Sequence, residues 1–304
     1  MNDVGEATGY SFRVFLELLR PFTLLAPIIV SSSVMIASLV YTGMANLSLL
    51  SIVSTICIAS VCFASLNGAS NVLNQVTDRK EDALSKPYRP IPRGVITHRQ
   101  AYTVSFILYT ASLLLSLSIH PLFSFFIFII ACFSLSYSLP PRMKRYLFIN
   151  QLWVALPRGF FAILASWSVF GNPFTALPLA MGCIAAIYLF GGTVTKDVLD
   201  AEADRIVGTR TFVNVYGVKP TAYFSLFCML GAFSLIIPFI FLHVIDDTFF
   251  PLVFLGFFSI VIGWLMVHNQ KNAKHENISA WTLMYVTYFM FAIGFSALTI
   301  SFST

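Results

Sequence analysis

Two short windows hold most of the chemistry this chain could do. The first reads NQVTDRKED over residues 74–82 and the second KDVLDAEAD over residues 196–204. Asn74, Asp78 and Asp82 are spaced i, i+4, i+8; Asp197, Asp200 and Asp204 are spaced i, i+3, i+7. On a helix each set projects from one face. Stacked carboxylates repel, at a cost of about a few tenths of a kcal/mol per exposed pair, so such a face calls for a cation. Magnesium binds through one or two carboxylates plus substrate phosphate oxygens. Two facing acidic helices would hold two or more Mg²⁺ ions with a diphosphate between them. The plain alternative is ordinary loop charge at helix ends. It does not explain why 7 of the 13 acidic residues fall in these windows.

The two windows also align on each other, with Asp78 over Asp200 and Asp82 over Asp204, 122 residues apart. That spacing hints at an internal duplication within a single domain, 1–304. Basic segments follow each window: SKPYRPIPRG at 85–94 and RIVGTRTF at 205–212, with PPRMKR at 140–145 as a third cluster. Arg and Lys in these loops could neutralise diphosphate oxygens as they leave. Simple membrane topology would also place bases there.

The elements that must carry these windows are membrane helices. The chain is 58% hydrophobic and only 10% charged, with a mean hydropathy of +0.82, against about 25% charged in soluble domains. Spans of about 20 residues are expected near 22–42, 48–70, 101–119, 121–139, 148–170, 175–194, 221–243, 250–268 and 279–301. The expected fold class is therefore an all-α integral membrane protein of about nine transmembrane helices. Of 18 Lys and Arg, 17 fall in the N-terminal segment or in alternate loops on one side; Arg158, inside the fifth span, is the exception. The positive-inside rule then makes this a multi-pass cell-membrane protein with its N-terminus cytoplasmic and its C-terminus outside. Residues 11–20, SFRVFLELLR, mix apolar and charged positions at helical spacing and read as an interfacial helix. The five cysteines lie singly in apolar runs and read as packing residues. No cleavable leader is evident in the polar first ten residues.

Taken together, these segments resemble the UbiA superfamily of intramembrane prenyltransferases. The resemblance rests on Arg20-Pro21, N-x-x-x-D-x-x-x-D at Asn74, Asp78 and Asp82, and R-P-I-P from Arg89. It rests also on Tyr137-Ser138, Pro140-Pro141, Arg142-Met143-Lys144-Arg145, K-D-x-x-D-x-x-x-D-x-x-x-G from Lys196 to Gly208, and Thr211. It implies a nine-helix ring around a central cavity, open laterally to lipid and closed by cytoplasmic loop caps. It implies Mg²⁺ and diphosphate at Asn74, Asp78, Asp82, Asp200 and Asp204, with Asp197 among the catalytic carboxylates. Arg89, Arg93, Lys144, Lys196 and Arg210 would bind diphosphate, and Arg20, Asn71, Tyr137 and Asn150 would line the substrate cavity. Two positions depart from the usual pattern: Gln75 stands where many members have Asp, and Ala203 where many have Gly. Gln75, the KPY run and the RTF run are similar to the homogentisate and chlorophyll-synthase branches.

The expected reaction is prenyl transfer. An isoprenyl diphosphate donor loses diphosphate to the metal and the bases, and the allylic cation meets a lipophilic acceptor in a dry cavity. An aromatic acceptor of quinone or related lipid synthesis is the main expectation. The alternatives are geranylgeranyl transfer to a prenylated glycerol phosphate, and a terpene cyclase on the same scaffold. One carboxylate, Asp197 or Asp200, could take the acceptor proton, and Tyr137 could face the cation. Partners are membrane lipid and the two substrates, with no nucleic acid. A cation transporter is the competing class, but its acidic residues belong at mid-membrane rather than at one face.

Overall fold

A computed structural model describes residues 12–268 and 279–303; Lys271 and Lys274, counted in the charge asymmetry, lie outside them. Helix α1 (Phe12–Leu19) forms within the segment read as an interfacial helix, with Leu18 and Leu19 as its buried residues. Arg20 turns the chain in a left-handed conformation, and Pro21 opens α2 (Pro21–Tyr41), where its missing N–H costs nothing. After Ser48, which caps the next helix, α3 (Leu49–Thr77) runs into α4 (Arg79–Ser85). Asn71 Nδ2 donates to the Leu19 carbonyl at 3.0 Å and Gln75 Nε2 to that of Leu18 at 2.7 Å. Gln75, one of the two departures from the family pattern, thus serves to dock α1 onto α3.

A Thr97–Gln100 capping box starts α5 (His98–Ser116), and His120-Pro121 starts α6 (Pro121–Ser138). The fifth span is broken into α7 (Ile149–Ala155), a π-turn over Leu156–Phe161, and α8 (Ala162–Trp167). Helix α9 (Ala176–Gly192) passes through a 3₁₀ turn, Thr193–Lys196, into α10 (Asp197–Val207). Gly208 ends α10 with φ 78°, a conformation that glycine adopts freely. Then follow α11 (Phe212–Tyr216), α12 (Val218–Ser234), α13 (Ile236–Phe241), α14 (Gly256–His268) and α15 (Ser279–Ser303). Among the described residues there is no strand.

Seven segments are long and apolar enough to cross a membrane, including 218–241, which joins α12 to α13, and 247–268, which ends in α14. The other two expected spans are helical but more polar. The N-terminal turn of α5 carries His98, Arg99 and Gln100, and the fifth span carries Asn150, Gln151 and Arg158. Packing order closes a ring: α2 on α3, α3 on α6, α6 on the π-turn and α8, the π-turn on α9, α9 on α12, α12 on α14, α14 on α15, and α15 back on α2. Helix α5 lies along α3. Much of the apolar surface points outward: only 28% of the α3 membrane window is buried, and Leu50 and Phe241 are more than four-fifths exposed. Lipid is the medium that covers such a surface.

Candidate active site

Helix α4 packs against α10. That contact brings the two acidic windows together at one end of the ring, over a cavity with about 2030 Å³ of empty space, its open mouth included. The mouth is polar: Asn74, Asp78, Asp82, Asp197, Asp200 and Asp204 line it with Lys86, Arg89, Lys144 and Lys196. Below, Ala26, Val30, Phe63, Leu66, Ile130 and Leu189 make an apolar wall. Arg20, Asn71, Tyr137 and Asn150 also line the cavity, as the resemblance implies.

The helix carrying the first window breaks at Asp78 (φ −101°, ψ 21°) instead of running straight. The i→i−4 bonds nevertheless continue, from Asp78 N to Asn74 O at 2.9 Å and from Asp82 N to Asp78 O at 2.8 Å. The three side chains therefore keep their order along the mouth.

Each of three carboxylates is held by a base from another segment. Asp78 accepts from Lys144 Nζ and, at 2.9 Å, from Arg142. Asp82 accepts both its bonds from Arg89, at 2.8 and 2.7 Å. Asp200 accepts from Lys86 Nζ at 2.5 and 2.6 Å, a bridge that ties α10 to the end of α4. Asn74 Oδ1 accepts from Lys144 at 2.9 Å. Deeper in, Lys196 Nζ reaches the Tyr137 hydroxyl at 3.2 Å, which donates to Asn150 Oδ1 at 2.9 Å. Lys196 also stands 5.6 Å from the Tyr137 ring centre, within cation–π range. Asp197 accepts from Gln151 Nε2 at 2.8 Å, and Gln151 Oε1 accepts from Thr193 at 2.7 Å.

Asp204 differs from the others: among the described residues its carboxylate has no hydrogen-bond or ion-pair partner. Burial, then the charges of Asp197 and Asp200, push its carboxyl up to about 8. Burial raises Asp197 to about 6 against the pull of Lys196. Burial pulls Lys144 below the usual lysine range, opposed by Asp78.

Two expected diphosphate ligands are not brought to the cavity. Arg93 is drawn to Glu17 of α1 at 2.8 Å and is 42% exposed. Arg210 follows the left-handed turn at Gly208, and its side chain is exposed. Two bases not singled out as ligands from the sequence stand near the windows instead: Lys86, which lines the cavity, and Arg142, bonded to Asp78. Sequence spacing could not choose among the loop bases, because the partners are more than 60 residues apart.

Among the described residues no three His, Cys, Asp or Glu side chains converge as a ready-made metal site. The bases lie between the carboxylates. The donor set is nonetheless all oxygen, which suits a hard cation that takes few protein ligands and completes its shell with phosphate oxygens. Burial, and after it the charges of Asp197 and Asp200, raise the Asp204 carboxyl, and a cation would offset both. Asn74 and Asp204 could hold it directly, and Asp78, Asp200 and Asp82 on release from Lys144 and Arg142, Lys86 and Arg89.

A ring of apolar helices whose polar mouth is built from two facing acidic windows is the architecture of a membrane enzyme for amphipathic anions. Residues 24–293 match the UbiA prenyltransferase family, and the chain belongs to that family. It is 25% identical over 289 residues to the digeranylgeranylglyceryl phosphate synthase of Methanothermobacter thermautotrophicus, covering 94% of this chain and 97% of the relative. The synthase of the same name from Methanobrevibacter smithii is 25% identical over 236 residues, 76% of this chain and 83% of the relative. The structure of a UbiA homolog from Archaeoglobus fulgidus bound to DMAPP and Mg²⁺ superposes with a TM-score of 0.67 at 20% identity, over 94% of this chain and 99% of that one. At that identity the likeness speaks for the fold.

Proposed function

We propose that this protein is a Mg²⁺-dependent prenyltransferase that moves a polyprenyl group from its diphosphate to a lipophilic acceptor within the membrane. The observation that carries this reading is the packing of α4 on α10, which sets both acidic windows over one apolar cavity. Lys86, Arg89, Lys144 and Lys196 are placed to take diphosphate oxygens, and the apolar wall to take the prenyl chain. Magnesium bound at Asn74, Asp78, Asp200 and Asp204 would supply positive charge to the leaving diphosphate. Asp197, oriented by Gln151, is placed to accept the acceptor's proton.

The acceptor expected first from motif details was aromatic. The names of the relatives favour the alternative, a prenylated glycerol phosphate that receives a geranylgeranyl group. The test is product identification by mass spectrometry, with donors of several chain lengths offered against a panel of phenolic acids and prenylated glycerol phosphates. A geranylgeranyl ether of the glycerol phosphate is the expected product. Its absence beside an efficiently prenylated aromatic product would return the acceptor to the first expectation.

Orientation follows from the charge asymmetry, with the mouth cytoplasmic and Asp246 outside. Single cysteines in a cysteine-free background report it. A cysteine at 246 is expected to react with an impermeant thiol reagent on intact cells, and one at 93 only after the membrane is opened. The reverse pattern refutes this orientation.

Metal binding should depend on pH. At pH 7 the carboxyl of metal-free Asp204 is largely protonated, being raised to about 8. A cation binding there must expel that proton, so apparent affinity falls as pH drops below 8, by up to about tenfold per unit for one proton. Mg²⁺ titration followed by thermal unfolding at pH 6, 7 and 8 measures this. Asp204→Asn should flatten the dependence, and an unchanged slope in that variant would remove Asp204 from the metal site.

A further inference from the structure

Arg158 lies inside the fifth span, seven residues beyond Gln151. At about 1.5 Å per residue this puts it roughly 10 Å deeper than the level at which Gln151 holds Asp197. Its direction is set by the π-turn at Leu156–Phe161. Pro157 brings no N–H to the helix there. Gly159 lies so close to α9 that a Cβ would stand 2.6 Å from the Ala186 nitrogen. Turns of this kind are rare and concentrate at functional sites. Here the turn places Arg158 on the cavity wall.

The surroundings of this guanidinium are unlike those of the bases at the mouth. Lys86, Arg89 and Lys144 each have a carboxylate. Among the described residues Arg158 has none. Its Nη1 donates one long bond, 3.4 Å, to the Tyr285 hydroxyl, and the Tyr288 hydroxyl fixes its main-chain carbonyl at 2.8 Å. A guanidinium carries five N–H donors in a planar fork, and the rest of the fork has no protein partner among the described residues. A charged side chain within a membrane span is paired or functional, and this one lines the cavity with no protein carboxylate beside it among the described residues.

Two species that the cavity would hold do not suit this guanidinium. The allylic cation would be repelled by it, and the diphosphate belongs with the acidic windows about two helical turns above. A second substrate with an anionic group, entering through the apolar part of the cavity, does fit. We infer that Arg158, with the Tyr285 hydroxyl, is the anion site for the acceptor, taking its phosphate or carboxylate and selecting anionic acceptors over neutral ones. The inference rests on the prenyl-transfer reading and deepens it. Bidentate capture by Arg fixes orientation as well as affinity, so the same contact would aim the acceptor's nucleophile toward the prenyl C1.

The test uses the full chain in lipid vesicles and two matched pairs of ligands: geranylgeranylglyceryl phosphate with its phosphate-free alcohol, and an alkylated phenolic acid with its methyl ester. Thermal unfolding is followed with each ligand without donor, and separately with isoprenyl diphosphate plus Mg²⁺. Wild type should be stabilised by the anionic member of at least one pair and not by its neutral partner. Arg158→Gln should lose that shift while keeping the shift with diphosphate and Mg²⁺. In turnover, Arg158→Gln should raise the acceptor KM about 30-fold or more, the scale of a lost charged hydrogen bond, with the donor KM changed less than about threefold. Arg158→Lys should recover part of the loss. Tyr285→Phe, which keeps the ring packing, should raise the acceptor KM by a smaller factor and guards against a variant that fails to fold. A response to the phosphate pair alone or to the acid pair alone supports the inference and identifies the anion. Equal response to neutral and anionic members overturns it. So does loss of the diphosphate shift in Arg158→Gln, which would assign the residue to the donor. Failure of wild type to respond to diphosphate and Mg²⁺ would count against the prenyl-transfer reading itself, a separate readout.

Discussion

Asp78→Asn, Asp82→Asn, Asp200→Asn and Asp204→Asn should each lower prenyl transfer by about 10²- to 10³-fold, and excess chelator should abolish it. The magnitude follows from the chemistry. Charge on the leaving diphosphate must be met by groups already in place, and removing one such group costs about two to three orders of magnitude. Loss of rate must be separated from loss of fold, and the ion pairs say how. Asp82→Asn leaves Arg89 buried without its carboxylate, and breaking a buried pair costs about 3–5 kcal/mol. That variant should melt earlier as well as turn over more slowly. Asp78→Asn takes the carboxylate from Lys144, while Arg142 keeps Glu81 at 3.6 Å, so that variant should melt earlier by a smaller margin.

Asp204→Asn is the cleanest of the four. Among the described residues its carboxylate has no basic partner to strand, and its ionised form is opposed first by burial and then by Asp197 and Asp200. Removing that charge relieves repulsion, so the metal-free protein should melt no lower than wild type near pH 8 while activity falls with the others. Rates and melting temperatures measured together decide the matter. Near-normal activity in Asp204→Asn would remove Asp204 from the metal site, and near-normal activity in both Asp200→Asn and Asp204→Asn would remove the second window. Full activity of wild type in excess chelator would remove the metal altogether.

The residues legible in sequence were those whose meaning is local. Helical spacing put Asn74, Asp78 and Asp82 in order along one edge, and it did the same for Asp197, Asp200 and Asp204. Apolar run length marked the spans. The pairing of bases with acids was not legible, because Lys86 with Asp200 and Lys144 with Asp78 are contacts across the ring. Composition marks a loop as basic but does not tell which guanidinium faces inward. Arg93 therefore read like Arg89, although one reaches out to Glu17 and the other is buried on Asp82. The π-turn was also hidden, since its cause is the approach of α9 to Gly159. The one local signal that bore on it was Pro157, which brings no N–H to the helix.

Diphosphate release should be slow with donor and Mg²⁺ alone and should rise by about two orders of magnitude when the right acceptor is added. The ion pairs at the mouth supply the first half of the argument. Before ligands arrive, Lys86, Arg89 and Lys144 neutralise Asp200, Asp82 and Asp78. When donor and metal bind, carboxylates can pass to the cation and bases to the phosphate oxygens, so no charge is left unmatched during the exchange. The bound donor is thereby stabilised in its ground state as well as on the way to ionisation. Binding of that kind lowers KM without raising kcat. The second half concerns water. A transferase that ionised its donor before the acceptor arrived would lose the cation to hydrolysis. Completing the site with the second substrate both excludes water and sets the nucleophile against C1, and an orientation gain of this kind is worth about 10² in rate. A cyclase has no second substrate to wait for. It would release diphosphate at full rate with donor alone and yield a cyclic hydrocarbon or alcohol. Pre-steady-state release of labelled diphosphate, with and without geranylgeranylglyceryl phosphate, separates the two. Rapid release that ignores the acceptor, with a cyclic product, would overturn prenyl transfer and leave the metal–diphosphate mouth in place.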